Sequence, residues 1–240
     1  MTDRLFFRQL LSGADFATQT DLAGQMVNFV YLIGDRETGD VVAVDPAYSI
    51  PELLDIIDAE GMNLTGVLVT HWHPDHIGGD LMGYWIEGLR ELLGRGAPAP
   101  AHVQHAEVEW VVKATGLSAS DLVAHSSGDT VMVGAIPVKL MHTPGHTPGS
   151  QCFVVDGKLV AGDTLFLDGC GRTDLPGADS DEMYFSLTQR LTAVPDDTLL
   201  YPGHMYSPHR FATMGETRRT NYVLQIPKLE QWRAMFDDRM

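Results

Sequence analysis

Residues 70–79 read THWHPDHIGG, with three histidines and an aspartate inside six positions: His71, His73, Asp75 and His76. A stretch so dense in imidazole is either a polar surface loop or a metal site, and its surroundings decide. The preceding GVLVT (66–70) is short, apolar and β-branched, which predicts a buried strand ending at Thr70. In an extended segment residues two apart project to the same side, so His71 and His73 can reach one cation. Pro74 then bends the chain, and Asp75 and His76 can face a second.

Working outward, the same placement recurs. His146 follows a strand in HTPGHTPGS (142–150), Asp163 follows one in AGDTLF (161–166), and His204 follows one in YPGH (201–204). All sit at strand-to-loop junctions, where a rigid scaffold presents functional side chains. Neutral imidazole and carboxylate oxygen are the donors that zinc and iron accept. His146 would complete the first position, His204 the second, and Asp163 would bridge them, as in two-metal hydrolytic sites with ions about 3.5–4 Å apart. His102, His105, His125 and His209 lack this placement, and His142 reads as a neighbour of His146 rather than a ligand.

The remaining pattern alternates strands and helices, with hairpins mixed in. Val27–Ile33 and Val41–Val44 read as strands around Gly-Asp turns. Ser49-Ile-Pro-Glu52 reads as a capping box opening a helix to about Glu60, with Gly61 as its stop. Gly79–Leu93 carries apolar residues at helical spacing and is expected to be a helix, as are Ala106–Thr115 and Asp181–Val194. The segments 130–143 and 150–163 read as strand pairs, the second turning at Asp156-Gly157. Leu199–Tyr201 lies in a further strand. Gly94–Pro100 is a long loop rather than a domain boundary, so one domain is expected over residues 1–240, with a short helical extension over about 208–240. The pattern predicts a mixed-sheet α/β fold covered by helices.

The formal charge of −16 argues against nucleic acid, which requires a basic face, and against an anionic membrane. No apolar run approaches membrane-span length, and the N-terminus lacks a signal-peptide pattern. Two cysteines, Cys152 and Cys170, make no disulfide framework, so a cytoplasmic protein is expected. Arg210, Arg218, Arg219 and Lys228 face one acid, Glu216, over residues 210–228. That patch is either part of a pocket for a small anionic substrate or a solvated helix face. A homodimer is compatible with the sequence, which does not set the oligomeric state.

THWHPDHIGG, TPGHTPGS, GDTLF, GCGRTD (169–174) and YPGH, with YLIGDRETGDVVAVDP before them and GETRRTN after them, resemble the metallo-β-lactamase superfamily, in particular its glyoxalase II and persulfide dioxygenase branch. The resemblance spans roughly residues 4–225 and implies an αββα four-layer sandwich with a metal site at one edge. It implies His71, His73 and His146 at the first metal, Asp75, His76 and His204 at the second, and Asp163 between them. Asp45 matches a buried acid supporting the ligand loop, although a plain turn aspartate fits it equally. Arg172 falls where glyoxalase II enzymes bind the thiol's carboxylates. Tyr206 matches a tyrosine of that pocket, and Arg218 and Arg219 could extend it. Cys170 reads as structural. Trp85 and Trp110 could shape a pocket but read better as core.

Two chemistries fit these ligands. Thioester hydrolysis would use two divalent ions (zinc, or iron/zinc or manganese mixtures) to acidify a water, with Asp75 orienting it and taking its proton. Sulfur dioxygenation would use one Fe(II) on His71, His146 and Asp163. The family's dioxygenases keep the remaining ligand residues without metallating them, so ligand identity does not separate the two. GCGRTD and GDRETGD (34–40) are at home among the dioxygenases, whereas those enzymes tend to have Ala where this chain has Gly203 and Cys where it has Ser150. A lactonase is a lesser hydrolytic option, and a metal-binding scaffold without turnover is the reading from outside catalysis.

Overall fold

The computed structural model describes residues 4–94 and 99–236. The first half of the chain builds β1 (Leu5–Leu11), β2 (Phe29–Asp35), β3 (Asp40–Val44), β4 (Asn63–Leu68), a hairpin of β5 (Gly79–Leu81) and β6 (Tyr84–Ile86), then β7 (Ala101–Gln104) and β8 (Leu122–His125). The second half builds β9 (Thr130–Val133), β10 (Ile136–His142), β11 (Gln151–Val155), β12 (Lys158–Gly162), β13 (Leu199–Pro202) and β14 (Ala212–Thr213). Two six-stranded sheets result, ordered β1-β2-β3-β4-β7-β8 and β14-β13-β12-β11-β10-β9.

The sheets face each other through one apolar layer. Phe29, Tyr31, Ile33, Val42 and Leu68 of the first meet Val138, Leu140, Phe153, Val160 and Tyr201 of the second. The first sheet's outer face is covered by α1 (Asp21–Met26), α2 (Ile50–Ala59), α4 (Leu89–Gly94) and α5 (Val108–Thr115), while α3 (Pro74–Ile77) carries part of the site. The second sheet's outer face is covered by α6 (Ser180–Phe185), α7 (Met214–Thr220) and α8 (Leu229–Phe236). The layers are therefore α-β-β-α. β2 lies inside this stack and is buried at every residue, which is why FVYLIGD reads as a continuous run rather than an alternation.

Several local expectations change. Gly79–Leu93 is not one helix but the β5–β6 hairpin followed by α4. Positive φ at Gly78, Gly79, Met82 and Gly83 breaks helical geometry. A Cβ at Gly79 would lie 2.7 Å from the Ala114 carbonyl, so the close approach of α5 requires glycine there. Trp85, read as core, is half exposed on this hairpin, and Trp110 is half-buried and stacks on Trp72 at 5.2 Å. Ser49 heads α2 without a side-chain cap, and Glu52, rather than reaching back to it, accepts from Ala17 N at 2.8 Å and ties the helix to the segment after β1. The expected helix over Asp181–Val194 changes pitch twice: after α6 it continues as a π turn over Ser186–Arg190 and a 3₁₀ turn over Leu191–Ala193. The C-terminal part is not purely helical, since β14 extends the second sheet by pairing with β13. Of the Gly94–Pro100 loop, residues 95–98 lie outside the described residues. No helix among the described residues is long and apolar enough to cross a membrane.

Candidate metal centre

The ligand candidates converge at one edge of the sandwich, at the C-terminal ends of four strands. His71 and His73 follow β4, and Asp75 and His76 stand on α3. His146 lies in the loop after β10, Asp163 directly follows β12, and His204 follows β13. Gln151 holds the two sheets together beside them, donating its N–H to the Thr70 carbonyl at 3.0 Å and its amide to the Val69 carbonyl at 2.8 Å.

Two donor groups form. His71, His73 and His146 make one, and Asp75, His76 and His204 the other, with ligand atoms within 4.8 Å of one another in each. Asp163 reaches both: Oδ2 is 3.6 Å from His146 Nε2 and 3.4 Å from His204 Nε2, and Oδ1 is 3.4 Å from His76 Nε2. His71 Nε2, His146 Nε2 and Asp163 Oδ1 are buried without a hydrogen-bond partner. Leaving such atoms unpaired is costly unless something binds there, and a donor set of imidazole and carboxylate suits a divalent cation.

The imidazoles are aimed by their far nitrogens, the usual arrangement behind metal-binding histidines. His76 Nδ1 donates to Asp45 Oδ2 (3.0 Å), His146 Nδ1 to the Arg172 carbonyl (2.8 Å) and His204 Nδ1 to the Met26 carbonyl (2.8 Å). Asp45 also accepts from Thr70 N (2.7 Å) and Thr70 Oγ1 (2.5 Å), so one carboxylate fixes the start of the ligand loop and one of its rings.

Burial pushes His71 and His146 down and His73 to about 3, leaving them neutral and able to coordinate. Burial also opposes charge on His76 and His204. The Asp163 and Asp75 carboxylates outweigh it and hold His76 up at about 10 and His204 well above its ordinary value. Burial would raise Asp163 and Asp75, but the neighbouring imidazoles keep both carboxyls below the usual range and ionised.

Three contributors carry no local sequence signal. Glu107 is buried in the first turn of a helix, a place where an acid reads as solvated. It accepts from Trp72 N (2.8 Å), Thr147 Oγ1 (2.7 Å) and Gly149 N (2.6 Å), tying the His71–His73 loop to the His146 loop. Asn28 places Nδ2 3.0 Å from Asp75 Oδ2, 3.3 Å from His76 Nε2 and 3.4 Å from His204 Nε2, while Tyr48 donates its hydroxyl to Asn28 Oδ1 (2.6 Å). Val27, Asp45 and Tyr48 all have positive φ, and backbone strain of this kind, about 1–3 kcal/mol per residue, gathers at functional sites.

The substrate-side residues divide. Tyr206 stacks on His204 (4.7 Å, 7°) and, with Arg172 and Cys170, lines a cavity beside the ligands. Arg172 is exposed and paired with Asp174. Burial pushes the Cys170 thiol up to about 12, so it stays protonated and is no nucleophile. Arg218 and Arg219 do not line this cavity. Arg218 turns away to donate to the Leu191 (2.9 Å) and Val194 (2.6 Å) carbonyls and to pair with Asp196, closing the helical segment before β13, while Arg219 is exposed on α7. Arg218→Ala should therefore lower the melting temperature by about 2–6 °C, from about 1–2 kcal/mol of lost bonding, with KM unchanged. A thermal melt beside a KM measurement checks this, and a several-fold rise in KM would return Arg218 to the pocket.

The sequence model of the metallo-beta-lactamase superfamily matches residues 23–204, the span that holds every one of these ligands. The chain belongs to the metallo-β-lactamase superfamily. The fold agrees: the crystal structure of ETHE1 from Myxococcus xanthus superposes with a TM-score of 0.78 at 27% identity, over 97% of this chain and 90% of that one. Among sequence relatives, the mitochondrial persulfide dioxygenase ETHE1 of Homo sapiens is 30% identical, over 90% of this chain and 78% of its own length. A hydroxyacylglutathione hydrolase of Rhizobium etli is 34% identical, over 86% of this chain and 74% of its own length. The superfamily is one of metal-dependent enzymes, and these relatives stand on both sides of the choice between hydrolysis and dioxygenation.

Proposed function

We propose that this superfamily member is a metal-dependent hydrolase that cleaves thioesters of a low-molecular-weight thiol. The observation that carries the reading is that Asp163 lies within 3.6 Å of ligand atoms in both donor groups. Gly203 supports it: a Cβ there would lie 2.3 Å from Asp163 Oδ1, so glycine lets the carboxylate stand between the two positions. Zinc, or iron/zinc or manganese mixtures, bound to the seven residues would polarise the thioester carbonyl and bring the acidity of a water close to neutral pH.

The chain's own residues supply the rest. Asp75, kept ionised, is the acceptor for the water's proton and orients the oxygen toward the acyl carbon. Tyr206 and Arg172 border the space for the substrate. Water adds to the acyl carbon, the C–S bond breaks, and sulfur leaves with the bonding pair as a thiolate that requires no strong general acid. The carboxylic acid product then ionises.

A specific observation also favours a second reading, a mononuclear Fe(II) enzyme oxidising a thiol persulfide with O₂ through His71, His146 and Asp163. Asn28 donates its amide to Asp75 Oδ2 of the other position, which gives that oxygen a hydrogen-bonding partner when no ion is there. Metal analysis of protein purified without added metal, with parallel thioester and persulfide assays, separates the two. The hydrolase is expected to hold two ions per chain, and His73→Ala should cut thioester kcat/KM on the order of 10³-fold. One iron per chain with persulfide-dependent O₂ uptake, largely retained in His73→Ala, would overturn it.

A further inference from the structure

The cavity beside the ligands has a volume of about 760 Å³, more than a small acyl group and a sulfur atom fill. Among the described residues Arg172 is the one Arg or Lys lining it, and its guanidinium already donates to both oxygens of Asp174 (2.8 and 2.9 Å). Asp80 and Asp168 border the same space. Away from the metal ligands the lining is therefore more acidic than basic, a poor receptor for a thiol recognised through its carboxylates.

The walls are apolar instead. Leu81 and Met82 of the β5–β6 hairpin line the cavity with Trp72, Phe166 and Tyr206. Met82, at the tip of the hairpin, is 93% exposed and carries this surface outward, whereas Trp85 on β6 is held by α4, donating its indole N–H to Glu91 (3.0 Å) beneath the Arg90 guanidinium. Large apolar side chains beside a reaction centre form a surface that gains by being covered, and methionine adapts to varied hydrocarbon shapes.

We infer that this wall is an acyl subsite, and that the substrates are thioesters of medium-length hydrocarbon acids, bound by the acyl chain rather than by anionic groups of the thiol. This rests on the thioester-hydrolase reading. The chain would lie along Met82 and Leu81, with the carbonyl carbon at the ligand cluster and the sulfur toward solvent.

The test uses the metal-loaded enzyme and S-acyl-N-acetylcysteamines from acetyl to octanoyl, whose thiol is neutral, beside S-lactoylglutathione. Burying each methylene should raise kcat/KM by about two- to fourfold, so octanoyl should exceed acetyl by at least about 50-fold. Octanoyl should also exceed lactoylglutathione. Met82→Asn, a residue that tolerates the positive φ there, should lower the octanoyl-to-acetyl ratio about fivefold or more. A flat chain-length profile, or a preference for lactoylglutathione, overturns the acyl subsite and leaves the hydrolase standing. Absence of turnover on every thioester overturns both.

Discussion

Asp163→Asn should abolish function almost completely, with kcat/KM falling on the order of 10³- to 10⁴-fold and metal content dropping by at least one ion per chain. Asp163 lies within 3.6 Å of ligand atoms from both donor groups. Asparagine has the same shape, so the fit against Gly203 survives while the negative charge is lost. That charge also offsets the imidazoles of His76 and His204. Circular dichroism should show the native fold, and elemental analysis the missing metal. Full metal content with activity within tenfold of the parent would remove Asp163 from its bridging place.

Glu107→Gln should destabilise the protein by about 2–4 kcal/mol, lowering its melting temperature by about 6–12 °C, and should weaken metal binding about 10- to 100-fold. The carboxylate is buried and both its oxygens accept, one from Trp72 N and Thr147 Oγ1, the other from Gly149 N. A glutamine amide fills the same space but must set N–H against N–H on one side. Burial already holds this carboxyl up at about 7, and its three donors are what compensate the ionised form. Glu107→Ala should be at least as damaging. A melt together with a chelator competition titration measures both effects. If metal affinity is unchanged in Glu107→Gln, the tie between the two histidine loops is not what positions them.

The ligand set was legible because each member follows a strand that ends in glycine or proline chemistry, and strands are marked by local composition. The Asp156-Gly157 hairpin and the α2 stop at Gly61 were legible for the same reason. What escaped is set by distant partners. Glu107 and Asn28 act through residues far off in the chain, and nothing beside them announces it. Arg218 shares a basic stretch with Arg219, but the Leu191 and Val194 carbonyls that end the helical segment before β13 claim it. Leu81, Met82, Trp85, Leu89 and Leu92 keep helical spacing, yet Gly79 and Gly83 turn the first part into a hairpin. There the glycines carried more information than the apolar periodicity.

The ligands come from four strand ends spread over both sheets, between His71 and His204. Ions held by them would act as a reversible cross-link across long stretches of chain, removing loop entropy from the unfolded state much as a disulfide does in a secreted domain. The melting temperature would then track the logarithm of free metal concentration. Starved of metal, the edge of the sandwich would be its first part to open, so the supply of ions would govern how long the protein lasts as well as how fast it works.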